Sequence, residues 1–170
     1  MTESKVKLIK TKDWSGQKVI SGGIVTYKTE DGKRMMIGLN FSQEGLTRSS
    51  SSSTDYSYVQ VKVKTKNYIF SKTLLNEKYE VGDDTWRPGG NSTSSGCQSF
   101  DQFLKSKNNA LERSLERSEY ANLVPFIKQA RADILAASIN DREKTKNKEQ
   151  DKQSKMNRFM QQYSDILKNR

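Results

Sequence analysis

Between Tyr56 and Lys72 the chain reads YSYVQVKVKTKNYIFSK, a run in which apolar residues alternate with lysine, glutamine and tyrosine. Side chains on a strand point to opposite faces in turn. Val59, Val61 and Val63 therefore share one face, and Tyr58, Gln60, Lys62 and Lys64 share the other. A lysine ammonium neutralises phosphate, and a tyrosine ring stacks on any base. Tyr58, Lys62, Lys64 and Lys66, with Tyr68 and Phe70 close by, thus form a candidate surface for single-stranded DNA or RNA with little sequence preference. The same lysines also suit a second role, keeping an exposed edge strand from pairing with other chains.

Other residues could extend such a surface. Trp86 and Arg87 lie side by side in a loop, where the indole could stack on a base and the guanidinium could meet phosphate, although a loop tryptophan more commonly plugs the edge of a core. Arg48 sits beside the serine run Ser49 to Ser53, which buries nothing apolar and has no reason to order by itself.

Most catalytic chemistry is excluded by composition. The chain has no histidine and a single cysteine, Cys97. The commonest general base and metal ligand is thus missing, and so are histidine-dependent triads and the usual zinc sites. Cys97 stands two residues before a helix cap but has no imidazole to activate it, and Asp83 and Asp84 have no evident third ligand for a divalent ion. No glycine-rich phosphate loop followed by lysine is present. The expectation is a binding protein with no catalytic residues, no metal and no cofactor.

Lys and Arg outnumber Asp and Glu by 30 to 20, so the chain carries +10 at neutral pH and is drawn to polyanions. At 170 residues it supports one ordinary domain, but 32% hydrophobic against 29% charged residues is lean and implies that part of the chain is solvated. One cysteine, no apolar leader and no membrane-spanning run point to an intracellular, cytoplasmic protein.

The elements that must carry these residues can be read in order. A strand is expected over Lys5 to Lys12, then a hairpin from Lys18 to Phe41 turning at Thr29-Glu30-Asp31-Gly32, since Asp-Gly supplies the backbone angles tight turns need. Gly22-Gly23 marks a bend or bulge, or a close approach of another group. A single strand from Tyr56 to Phe70 would be about 50 Å long, so a hairpin turning near Lys64 to Asn67, with Tyr68 to Leu74 as its partner strand, is the alternative. Residues 82–98 read as a loop.

Ser99 to Gln102 form a capping box opening a helix that presents Phe100, Phe103, Leu104, Leu111 and Leu115 and leaves Glu112, Arg113, Glu116 and Arg117 to solvent. A second helix starts near Asn122 and ends at about Asn140. Asn140 to Lys155 contains no hydrophobic residue and reads as a charged linker or solvated helix. Met156, Phe159, Met160, Tyr163, Ile166 and Leu167 then recur at helical spacing.

The expected architecture is α+β: an N-terminal antiparallel sheet of four to five strands packed by two helices, plus a separate amphipathic C-terminal helix. Residues 1–139 make the domain (sheet 5–81, loop 82–98, helices 99–139), 140–155 the linker or solvated helix, and 156–170 an interaction helix. The final apolar stripe is expected to dock on another copy or a partner protein. That leaves a viral or phage structural or assembly protein, oligomerising through this helix, as the alternative to nucleic-acid binding.

Overall fold

The computed structural model describes residues 3–12, 16–45, 55–80, 100–107 and 109–170. It is an α+β fold. Strands β1 (Glu3–Lys12), β2 (Lys18–Lys28), β3 (Arg34–Gly45), β4 (Asp55–Lys66) and β5 (Ser71–Glu80) form one antiparallel sheet in chain order. Helices α1 (Phe100–Lys105), α2 (Ala110–Glu116) and α3 (Val124–Lys168) follow, with a single 3-10 turn at Ala121–Leu123. The chain divides into two compact units, Met1–Ala136 and Ala137–Arg170.

In the first unit the period-two pattern does what it predicts. Val25, Ile37, Leu39, Val59, Val61 and Val63 are all fully buried on one sheet face. They belong to one core with Phe103, Leu104, Leu111, Leu115, Ile127 and Ile134 of the helices. The first hairpin turns where expected: the Gly32 N–H donates to the Thr29 carbonyl at 3.0 Å, and Gly32 takes a φ of 79°. The second differs from the expected one. Tyr68 and Phe70 are not in a strand; they belong to the turn, and β5 begins only at Ser71. A run of apolar residues reads as strand, but here pairing stops at Lys66 opposite Ser71.

Gly22-Gly23 combines the anticipated readings. Ser21 is the extra residue of a bulge between the pairs Ile9–Gly22 and Lys10–Ile20. A Cβ on Gly22 would lie 2.6 Å from the Leu39 carbonyl oxygen, and one on Gly23 would lie 2.8 Å from Ile134 Cγ1 of α3. The two glycines let β3 and α3 approach β2.

The helices depart from expectation in three ways. The helix opening at Phe100 stops at Lys105, and α2 restarts behind Asn109, whose Oδ1 accepts from the Leu111 N–H at 3.1 Å while its Nδ2 donates to the Phe103 carbonyl at 3.4 Å. An asparagine side chain that bonds nearby backbone competes with a continuous helix. The capping serine Ser99 lies outside the described residues. Secondly, Glu112 is buried, not solvated. Arg131 of α3 donates to it through Nε at 2.6 Å and Nη2 at 3.3 Å, and also donates to the carbonyls of Leu104 and Ser106. Thirdly, α3 does not end at Asn140 but runs 45 residues to Lys168, with Pro125 tolerated in its first turn.

The second unit, Ala137–Arg170, is helix throughout except at its last two residues. Residues 140–155 are therefore the solvated helix of the two alternatives. Pairs one turn apart brace it: Lys155 with Asp151 at 3.0 Å, Gln153 with Asn157 at 3.0 Å, and Gln161 with Asp165 at 3.1 Å.

Candidate nucleic-acid interface

Antiparallel pairing puts residues opposite one another on the same face. Three successive rows cross the sheet on the face away from the buried valines. They are Lys7, Ile24, Gly38, Lys62 and Asn76; then Lys5, Thr26, Met36, Lys64 and Thr73; then Glu3, Lys28, Arg34, Lys66 and Ser71. Strands lie about 4.8 Å apart and alternate residues about 6.6 Å apart, so the three rows cover a patch of roughly 19 by 13 Å. Glu3 is its one carboxylate. Ile24, Gly38 and Met36 at its centre are half-buried and give it a low, partly apolar floor.

The predicted lysines Lys62, Lys64 and Lys66 lie together on this face, Lys66 exposed and the other two half-buried. Tyr58 shares the face but stands further along β4, opposite Ser42 and eight residues before Lys66. The sequence reading missed the contributors from neighbouring strands, Lys5, Lys7, Lys28 and Arg34. Their alternation in β1 and position beside the first turn were visible, but only the register of four strand pairs aligns them with Lys62, Lys64 and Lys66.

The row Lys28, Arg34, Lys66 has a direct energetic meaning. Like charges placed opposite each other on adjacent strands destabilise a sheet. Three cations side by side on β2, β3 and β4 are such a cost, and none of them forms an ion pair with a carboxylate among the described residues. Nor do Lys62, Lys64 and Lys66 guard an edge, because β4 is paired on both sides, by β3 and β5. The edge-protection role fits β1, which carries Lys5, Lys7, Lys10 and Lys12 at the sheet margin.

At the end of the patch the β4–β5 turn is closed by the Asn67 N–H, which donates to the Phe70 carbonyl at 2.9 Å. Tyr68 lies in this turn and leans onto the neighbouring one: a Cβ on Gly32 would come within 2.4 Å of its hydroxyl oxygen. Gly32, Arg34, Lys66, Asn67 and Tyr68 line an open cleft of about 210 Å³. In the neighbouring turn the Thr29 hydroxyl donates to Asp31, and Lys33 pairs with Asp31 at 3.1 Å. These two contacts hold the Asp31 carboxyl below its usual pKa, so the turn keeps an anion that Lys33 offsets.

Arg48, Trp86 and Arg87 lie outside the described residues, as do Asp83, Asp84 and Cys97. Among the described residues no three acidic or cysteine side chains gather as a metal site, and no helix is long and apolar enough to cross a membrane. On the second unit Met156, Phe159, Met160, Tyr163, Ile166 and Leu167 are each between 54% and 62% exposed. No protein-family model, curated protein or solved structure matches this chain.

Proposed function

We propose that this chain is a non-catalytic nucleic-acid-binding protein that holds a single strand, with little sequence preference, across the open face of its sheet. The observation that carries the reading is the Lys28, Arg34, Lys66 row backed by Lys62 and Lys64: cations aligned at an intrinsic cost on interior strands, with Glu3 of β1, opposite Lys28, the one acid in the three rows. Phosphates supply the missing anions. The shallow floor at Gly38 lets a backbone lie close, and Tyr58 and Tyr68 stand at either end, where bases can stack. Phosphate contacts and ring stacking carry little sequence information, which favours binding without sequence preference.

A salt series with a labelled single-stranded oligonucleotide tests this. Affinity should fall steeply with salt, and replacing Lys62, Lys64 and Lys66 together by Gln should flatten the slope of log K against log salt by about 2, at roughly 0.7 per lost phosphate contact. Binding indifferent to salt, or a slope unchanged in the variant, would refute the assignment.

The exposed stripe on the second unit supports a further property of the same protein, association with a second copy. Its six side chains present on the order of 600 Å² of mostly apolar surface, at the top of the range of patches tolerated on monomers. Two such stripes facing each other reach roughly 1,200 Å², the lower end for a stable interface.

A further inference from the structure

Turn positions favour Gly, Asn, Asp, Ser and Pro, each for a backbone reason. The β4–β5 turn instead carries Tyr68, Ile69 and Phe70 in succession, exposed at 87%, 83% and 75%. Nothing in the turn's geometry asks for these residues, and none of them joins the core. Three successive large side chains left in water make a contiguous exposed patch, the kind that marks a contact surface.

Its setting indicates which contact. Lys62, Lys64 and Lys66 run along β4 toward the tip at intervals of about 6.6 Å, close to the spacing of phosphates in an extended strand. The Lys28, Arg34, Lys66 row lies directly behind it. The cleft beside it brings together two cations, the Asn67 amide and the Tyr68 ring, which suit the phosphate, edge and face of one nucleotide. A strand lying on the basic face is thus led to three apolar side chains at its end. Apolar side chains of this kind insert between base steps and unstack them.

Building on the nucleic-acid reading above, we infer that Tyr68, Ile69 and Phe70 form a wedge that stacks on the last base pair of a duplex, at the junction where one of its strands continues onto the basic face. The protein then prefers single-strand–duplex junctions to either a single strand or a blunt duplex. An anionic bilayer fits less well. Its surface would reach only the Lys28, Arg34, Lys66 row nearest the tip and leave Lys62 unused, about 13 Å behind Lys66 and beyond the screening length of about 8 Å at physiological salt. The neighbouring turn would also bring Glu30 and Asp31 toward the same lipid surface.

The test measures anisotropy of the full chain with a single strand, a blunt duplex and a duplex bearing a single-stranded tail. A variant with Tyr68, Ile69 and Phe70 all changed to Ser and a Tyr68→Phe variant accompany the wild type. The wild type should bind the tailed duplex at least about tenfold tighter than the single strand, as one base stacked on an aromatic ring is worth about 1–3 kcal/mol. The triple variant should lose the junction preference, binding the tailed duplex no tighter than it binds the single strand; Tyr68→Phe, which keeps the ring, should retain it. Equal wild-type affinity for single strand and junction, or an unchanged preference in the triple variant, overturns the wedge and leaves the nucleic-acid reading standing. No wild-type binding to any of the three at about 50 mM salt overturns both. Sedimentation with phosphatidylserine-containing vesicles that depends on the tip, without junction preference, overturns the wedge in favour of lipid.

Discussion

The Glu112–Arg131 pair shows how one contact can matter more than many surface charges. Both side chains are largely removed from water, and Arg131 also satisfies two carbonyls at the break between α1 and α2. Arg131→Met would strand a buried carboxylate and should cost about 3–5 kcal/mol in denaturant unfolding, whereas changing both residues to Met should cost much less. By contrast, the Lys128–Glu116 pair at 2.7 Å lies in solvent, which screens it, so it adds little to stability. Tyr27 makes a second cross-element contact, its hydroxyl donating to Asp133 Oδ2 at 2.7 Å. Burial, and then that carboxylate, push the Tyr27 phenol well above its ordinary pKa. The folded state therefore holds this proton longer than the unfolded state does, so the stabilisation is complete below about pH 10 and drains away as pH rises above it. Wild type should lose stability above that pH more steeply than Tyr27→Phe, as read from unfolding midpoints across an alkaline series. Neither partnership was legible in the sequence, where Glu112 and Arg131 lie 19 residues apart and Tyr27 and Asp133 106 apart.

Among the elements, β2 is the most constrained, since it must bulge at Ser21 and accept α3 over Gly23. Gly23→Ala should destabilise by about 1–3 kcal/mol through overpacking against Ile134. Combining it with Ile134→Ala should cost less than the sum of the two single changes, because the new methyl occupies space the isoleucine vacates. A double-mutant cycle by chemical unfolding checks this, and strict additivity would mean that the two do not meet. The glycine pair was readable as a bend, yet its partner was not, because a sequence pattern records that room is needed but not for whom. The β4–β5 turn shows the opposite failure. Tyr68, Ile69 and Phe70 have strand-like composition, and only the end of the ladder at Lys66 puts them in water.

At the scale of the whole molecule, a charge of +10 acts on two proposed properties with opposite signs. Added salt should weaken oligonucleotide binding, yet strengthen parallel pairing of the helical stripes, since Lys152 falls on the same helical face as Met156 and Tyr163 and would repel its counterpart. Light scattering over a concentration series at low and high salt should find more dimer at high salt, and Phe159→Glu with Ile166→Glu should abolish it. A monomer under all conditions would remove the stripe from consideration as a contact between copies. The basic patch began as one strand, and its alternation was settled locally: period two forces Val59, Val61 and Val63 to one side and Tyr58, Lys62 and Lys64 to the other wherever that strand lies. The same holds for the first hairpin turn, which Gly32 can adopt without a clash, and for the apolar stripe at helical spacing. The tertiary structure decided what depends on register between strands and on separations too long for a pattern to span. It made β4 an interior strand, aligned Lys28 and Arg34 with Lys66, buried Glu112 against Arg131, and left Tyr68, Ile69 and Phe70 at an open tip.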